Sequence, residues 1–277
     1  MLCANCGTEK ATTGEGLCDG CVIAAANSAP PPRAPVVPLS GPTAVLRSPV
    51  GLSYAVMALL GAVIAADCFS LFASFRLRGQ MSALTSGDLS GLTTEEAELS
   101  DALMAASTFL YVFALLATAT VFIVWFFRVR RNAGVFAPDV PRRGSGWAIG
   151  AWFIPFANLW IPRGIAVDVW SASRRDPYSL EAAKEEPHTV LNAWWTAWVV
   201  SALFDRFAAN SYKKAEAPDE IRDALDLMVA GDLLDIAAAV LAVFFVRALT
   251  RMQHLKATTG PADSTDPATE RPVVGRM

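Results

Sequence analysis

Four stretches of this sequence are long and apolar enough to cross a lipid bilayer. A helical crossing takes about twenty mostly apolar residues, and the stretches are 50–75, 103–127, 190–209 and 227–246. Each must be helical, because unpaired backbone groups are not tolerated in hydrocarbon. A composition of 53% hydrophobic and 18% charged residues agrees. The sequence therefore predicts an all-α integral membrane protein built on a bundle of four transmembrane helices.

The placement of arginine predicts the orientation of this bundle. Five arginines follow the second apolar stretch: Arg128, Arg130, Arg131, Arg142 and Arg143. The connection before that stretch has five acidic residues and only Arg76 and Arg78. Lysine and arginine gather in cytoplasmic loops. We therefore expect a multi-pass protein of the cell membrane, with both termini in the cytoplasm and residues 77–102 outside.

The segment 147–173 is apolar but interrupted. Pro155 and Pro162 each remove a helical donor, and the run from Trp147 to Ile161 is short for a crossing. These features predict a Trp/Pro-rich re-entrant or interfacial segment, with a fifth full span as the alternative. We expect Asn158 to bind backbone groups that the prolines leave free. The continuation 164–173 reads as an amphipathic helix on the cytoplasmic surface.

This segment also resembles a known family. The pattern consists of Trp147, Trp152, Phe153, Pro155, Asn158, Leu159, Trp160 and Pro162. It follows Arg131-Asn132-Ala133, precedes Trp170, and resembles the signature of a bacterial multi-pass membrane family known only as a domain of unknown function. The resemblance covers roughly residues 50–255, and short zinc ribbons are similar to modules found ahead of such domains. It implies an integral membrane protein and supplies no activity, ligand or catalytic residue.

Two C-x-x-C pairs lie in residues 1–28, and their cysteines are Cys3, Cys6, Cys18 and Cys21. Four thiolates form the closed tetrahedral shell of a structural Zn²⁺ site. Two disulfides are the alternative, but they require an oxidising compartment. A cytoplasmic N-terminus favours zinc. The sequence thus predicts a small zinc-ribbon-like metal-binding module with Zn²⁺ as its cofactor.

The remaining segments limit the classes of function that the sequence allows. Residues 29–49 contain seven prolines and predict an extended linker, and residues 256–277 predict a disordered tail. A net charge of −3, and an acidic surplus in the N-terminal module, argue against nucleic acid as a partner. The chain contains no phosphate-binding glycine loop, nucleophile elbow or zinc-protease motif, so we do not expect an enzyme.

Five charged residues fall inside the apolar stretches: Asp67, Asp205, Arg206, Asp232 and Asp235. The rise of a helix, about 1.5 Å per residue, places them in one layer of the membrane. Charges at such a depth are costly unless they are paired or hydrated. One interpretation is structural, with Arg206 bridging Asp67 and Asp232. The other is a cation or proton site that opens to the outside.

These features predict a membrane-anchored adaptor or regulator. The zinc module on its linker would dock a cytosolic or membrane protein partner, while the lipid bilayer surrounds the remainder. The alternative is a small transporter or ion- or proton-handling protein that uses the acidic layer. An intramembrane enzyme ranks third, because the spans lack a nucleophile–base pair and a metal triad.

Overall fold

The computed structural model of the protein describes residues 1–12, 14, 16–28, 45–87, 93–179, 184 and 187–259. The chain divides into two compact units, Met1–Thr43 and Ala44–Met277, which are considered separately. Regular structure in the described ranges is helical. The helices are α1 (Asp19–Ser28), α2 (Val50–Ser86), α3 (Thr94–Phe136), α4 (Trp147–Gly150), α5 (Ile161–Ser173), α6 (Thr189–Tyr212) and α7 (Pro218–Thr259), with a 3-10 turn at Ala157–Leu159.

The N-terminal unit is smaller and less regular than a zinc ribbon. A single antiparallel bridge joins Leu2 to Lys10, and α1 follows the second cysteine pair. Its described residues include no β-strand. The β-hairpins of a true ribbon are therefore replaced by turns and one helix.

Three helices of the second unit are long and apolar enough to cross a membrane: α2, α3 and α7. This number differs from the predicted four. The fourth candidate, α6, has 24 residues but a lower hydropathy. The cause is its polar content, since Asp205 and Arg206 lie within it and indole rings are only weakly apolar.

The helices are also longer than the apolar stretches that predict them, with 37, 43 and 42 residues in α2, α3 and α7. Hydropathy marks only the part of a helix that lipid covers, and the ends are set by capping. The Thr93 hydroxyl accepts a hydrogen bond from the Glu96 amide, and Gly87, at φ 77°, closes α2. The predicted tail begins too early, because α7 extends to Thr259. Residues 29–44 of the linker and 260–277 of the tail lie outside the described residues.

Helix α2 is central in the bundle. It packs along α3 on one side and α7 on the other, and α6 packs along α7. Arg78, near the end of α2, forms an ion pair with Asp226, near the start of α7. The α2–α3 and α6–α7 connections therefore lie at one end, the turn end. The other end contains the arginine-rich connection after α3 and is called the arginine end.

Aromatic side chains fill the bundle toward the arginine end. The rings in mutual contact are Phe122, Trp125, Phe126, Trp152, Trp194, Trp195, Trp198 and Phe245, together called the aromatic layer. Its closest pair is Trp194 and Phe245, with centroids 4.4 Å apart and planes inclined by 7°. Such packing gives the bundle a specific arrangement.

A buried polar network lies beside this layer at the arginine end. Gln253, only 1% exposed, donates to the Val129 carbonyl at 2.9 Å and to the Ser173 hydroxyl at 3.1 Å. Its carbonyl accepts from the Asn132 amide at 3.0 Å. Three helices are thus joined by hydrogen bonds that satisfy every buried partner.

Helix α5 lies within this end of the bundle rather than on its surface. Asp168 and Trp170, expected on an exposed amphipathic helix, are both buried. Asp168 accepts from the backbone amide of Arg142 at 3.2 Å and forms an ion pair with its guanidinium at 2.9 Å. This interaction raises the pKa of Arg142. The prediction of a surface helix was wrong, because the polar residue Asp168 is buried and binds Arg142 instead of facing solvent.

Candidate metal centre and intramembrane acidic cluster

The four N-terminal cysteines come together in space. Their Sγ atoms all lie within 4.8 Å of one another, and those of Cys6 and Cys18 are 3.7 Å apart. A tetrahedral metal with bonds of about 2.3 Å separates its sulfur ligands by about 3.8 Å. No disulfide forms, since all five cysteines are free. The geometry therefore fits a group that can hold one metal ion.

Local backbone structure orients these sulfurs. Gly7 follows the first pair at φ 68°, a conformation that disfavours other residues, and its amide donates to the Cys3 carbonyl at 3.0 Å. Two further donors reach sulfur directly. The Cys18 amide lies 3.2 Å from the Sγ of Cys3, and the Asn5 side-chain amide lies 3.5 Å from the Sγ of Cys21. Donors of this kind fix the ligands of a metal site.

The same surroundings favour thiolate at one ligand. Hydrogen bonds from the Thr8 hydroxyl, and then from the backbone amides of Thr8 and Glu9, lower the pKa of Cys6 to about 6. Thiolate is the form of cysteine that binds metal. The chemistry of this donor thus agrees with the geometry of the group, whereas burial and the neighbouring cysteines raise the pKa of Cys18 and Cys21.

The second unit brings together four of the five charged residues that the sequence indicated. Asp67 on α2 interacts electrostatically with Asp235 and Asp232 on α7 and with Asp205 on α6. The carboxyl groups of Asp205 and Asp235 interact with each other in the same way. These four residues are called the acidic cluster. Asp67 is completely buried, and neither of its carboxyl oxygens has a hydrogen-bond partner.

Arg206 does not join the acidic cluster. Its side chain is exposed, and it forms no ion pair with any described residue. The expected bridge from Arg206 to Asp67 and Asp232 is therefore absent from this part of the chain. Successive residues of a helix point about 100° apart. Because Asp205 faces α7, its neighbour Arg206 faces away.

Two residues that the sequence did not indicate complete the surroundings. The Tyr111 hydroxyl, from α3, donates to Asp235 at 2.8 Å. Gly231 allows α6 to approach α7 closely, since a Cβ there would lie 2.7 Å from a carboxyl oxygen of Asp205. A tyrosine in an otherwise apolar stretch, and a glycine one residue before Asp232, were the available signals.

The Trp/Pro-rich segment forms a folded corner. After α4 the chain turns through Phe156, at φ 62°, and α5 begins with Pro162 in its first turn, where no amide donor is needed. No continuous helix runs through it. Asn158 donates through its backbone amide to the Ile154 carbonyl, but its side chain has no hydrogen bond among the described residues. The Trp195 indole instead donates to the Leu159 carbonyl at 3.2 Å.

The signature residues of this corner differ in burial, and Pro162 is buried while Asn158 and Leu159 are half-buried. Trp152 is half-buried and contacts Phe122, Phe126, Trp195 and Trp198, so it joins α3 to α6. The exposed members, which do not enter the aromatic layer, are Trp147, Phe153, Pro155 and Trp160. Exposed apolar rings at this corner suit contact with lipid.

Taken together, these features define a helical protein with three helices long and apolar enough to cross a membrane, and with a four-cysteine group that can hold a metal ion. Comparison with protein families shows which family within this class the chain belongs to. The chain matches the model of the family described as Domain of unknown function (DUF4328) over residues 88–251, more than half its length, and belongs to that family. The match includes the Trp/Pro-rich segment but begins after α2 and the N-terminal unit. No curated protein and no solved structure matches the chain.

Proposed function

We propose that this protein is a membrane-anchored adaptor or regulator whose N-terminal unit holds a structural zinc ion and docks a protein partner. The observation that supports this most is the gathering of four cysteine sulfurs. Four sulfur ligands in a tetrahedron suit zinc, and they leave no open position for a reacting water. The metal then organises a small unit rather than performing chemistry.

The surface of the N-terminal unit favours a protein partner. Leu2 is 66% exposed and Ile23 is 60% exposed, although the unit is small. Exposed apolar side chains of this kind are common at protein-binding surfaces. Nearby acidic residues, Glu9 and Asp19, are also exposed and would repel nucleic acid. The partner is therefore a protein with an apolar patch and basic residues beside it.

The packing of α6 supports its assignment as the fourth span. It lies along α7, and the contact between Asp205 and Gly231 requires close approach. Close approach at small residues is typical of helices that associate within membranes. An even number of spans places both ends of the membrane domain on one side. Arginines concentrate at the arginine end, and this bias supports a cytoplasmic location for that side.

Cysteine labelling tests this orientation. In a variant in which all five native cysteines are replaced, Ser86→Cys at the turn end should react with a membrane-impermeant maleimide added to intact cells. Gly144→Cys at the arginine end should react only after the cells are opened. Both positions are exposed, so burial does not distinguish them. The opposite pattern would overturn the cytoplasmic placement of the zinc unit.

Photo-crosslinking in living cells tests the docking role. A photoreactive amino acid in place of Ile23 should capture a discrete protein reproducibly. The matched control has the same photoreactive residue together with Cys18→Ser and Cys21→Ser, and we expect the crosslinked product to disappear. No product at Ile23, or an unchanged product in the metal-free control, would refute docking through this unit.

A further inference from the structure

The acidic cluster contains more negative charge than its surroundings can neutralise. None of its four carboxyl groups forms an ion pair within the part of the chain that the structure describes. The groups that face it are the hydroxyls of Tyr111 on α3 and Ser70 on α2. A hydroxyl can donate one hydrogen bond but cannot balance a charge. Four ionised carboxylates at this depth of a membrane would be very costly.

Two features of the acidic cluster indicate how this charge is removed. The carboxyl group of Asp205 lies against Gly231, within one helical turn of Asp232 and Asp235, and like charges this close disfavour the ionised form of one another. Independently, Asp67 is completely buried and has no hydrogen-bond partner at either oxygen, and one oxygen of Asp232 is also buried without a partner. A buried carboxyl without a partner is far cheaper to maintain in its neutral form.

The arrangement differs from that of a metal site. Among the described residues, the cysteines are the group of three or more ligands whose donor atoms lie within 4.8 Å of one another. The carboxyl oxygens of the acidic cluster do not gather around one point in this way. A divalent cation would therefore require the helices to move, whereas protons can bind to the cluster as it stands.

Access to the acidic cluster differs between the two ends of the bundle. Asp235 lies ten residues, about 15 Å, from Phe245, and Asp205 lies seven residues, about 10 Å, from Trp198. The aromatic layer therefore separates the cluster from the arginine end. In the other direction Asp232 is only six residues, about 9 Å, from the Arg78–Asp226 ion pair. Asp205, Asp232 and Asp235 are half-buried, so the protein does not enclose the whole cluster.

We propose that Asp67, Asp205, Asp232 and Asp235 form a proton-binding site within the membrane, which exchanges protons with the compartment at the turn end. The site is separate from the docking unit and does not depend on its partner. Tyr111 holds Asp235, and Gly231 brings Asp205 against α7. The pair Asp205–Asp235 shares one proton, and Asp67 holds a second.

Infrared spectroscopy of the full-length protein in lipid nanodiscs tests the proposal. At neutral pH the wild type should show the carbonyl band of protonated carboxylic acids, which should fall as the pH is raised. Asp67→Asn should lower this band by about the intensity of one carboxyl group. The control is Asp226→Asn, which alters an exposed ion pair outside the cluster and should leave the band unchanged.

The wild type alone provides a test that does not depend on the folding of a variant. A folded protein without a protonated carboxylic acid band at neutral pH would overturn the proposal. Loss of the band when Na⁺ or Ca²⁺ is added at constant pH would also overturn it, by showing a metal-binding site.

In sealed vesicles of known orientation, the band should respond at once to a pH jump at the turn end and slowly to one at the arginine end. An immediate response from both ends would contradict the one-sided access.

Discussion

Replacing Cys18 and Cys21 with serine is expected to remove the bound metal completely. The wild type should contain about one zinc ion per chain, and the double variant should contain none, because two thiolates cannot complete a tetrahedral sulfur shell. Elemental analysis of the purified protein measures this directly. The N-terminal unit should lose its fold at the same time, since a unit this small depends on its metal.

The matched control for this loss is Cys68→Ser. Cys68 lies on α2, is exposed, and belongs to the other unit, so its replacement should leave the zinc content unchanged. A wild-type protein that lacks metal while its N-terminal unit is folded would refute the zinc assignment. Iron in place of zinc would preserve the four-cysteine site but change the metal.

A second large effect is expected for Phe245→Ala, which should reduce the free energy of unfolding by about 3 kcal/mol. Phe245 is completely buried and contacts three rings of α3, α5 and α6. It stacks on Trp194 and Trp170 and meets Trp125 edge-on. Its removal would leave a cavity that three rigid indoles cannot fill. Reversible unfolding in mixed detergent micelles provides the measurement.

The neighbouring residue offers a close control, because Phe244 has the same side chain but is 56% exposed. Phe244→Ala should cost less than about 1 kcal/mol, since lipid or detergent replaces the lost contacts. Equal losses in the two variants would show that the aromatic layer contributes no more than the lipid-facing surface.

Hydropathy predicted the long helices well because a bilayer imposes a simple requirement on any span. It located α2, α3 and α7 but not their ends, since Gly87 and Thr93 cap the helices where the chain is already polar. Hydropathy also predicted α6 as a span like α2, α3 and α7, although three tryptophans and two charged residues lower the hydropathy of α6. The corner around Phe156 could not be derived, because a positive φ at phenylalanine has no reliable signal in sequence.

The acidic cluster illustrates the limit of counting residues along a helix. The rise per residue predicted one level for Asp67, Asp205, Asp232 and Asp235, and in the structure Asp67 interacts electrostatically with the other three. The depth of a residue along its helix does not give the direction of its side chain, however. Arg206 was assigned to the same layer, although its side chain points away from the acidic cluster. Direction depends on which face packs against a neighbour, and that is a property of the assembled bundle.

The central position of α2 has a consequence for where this domain begins. The family match starts at residue 88, whereas α2 ends at Ser86 and supplies the main contact between α3 and α7. Those two helices have few close backbone contacts, although Tyr111 and Trp125 of α3 reach α7 with their side chains. A fragment cut at the family boundary would therefore keep the side-chain contacts between α3 and α7 but expose apolar faces that α2 normally covers. The compact membrane unit of this chain begins near Ala44, well before the shared sequence that identifies its family.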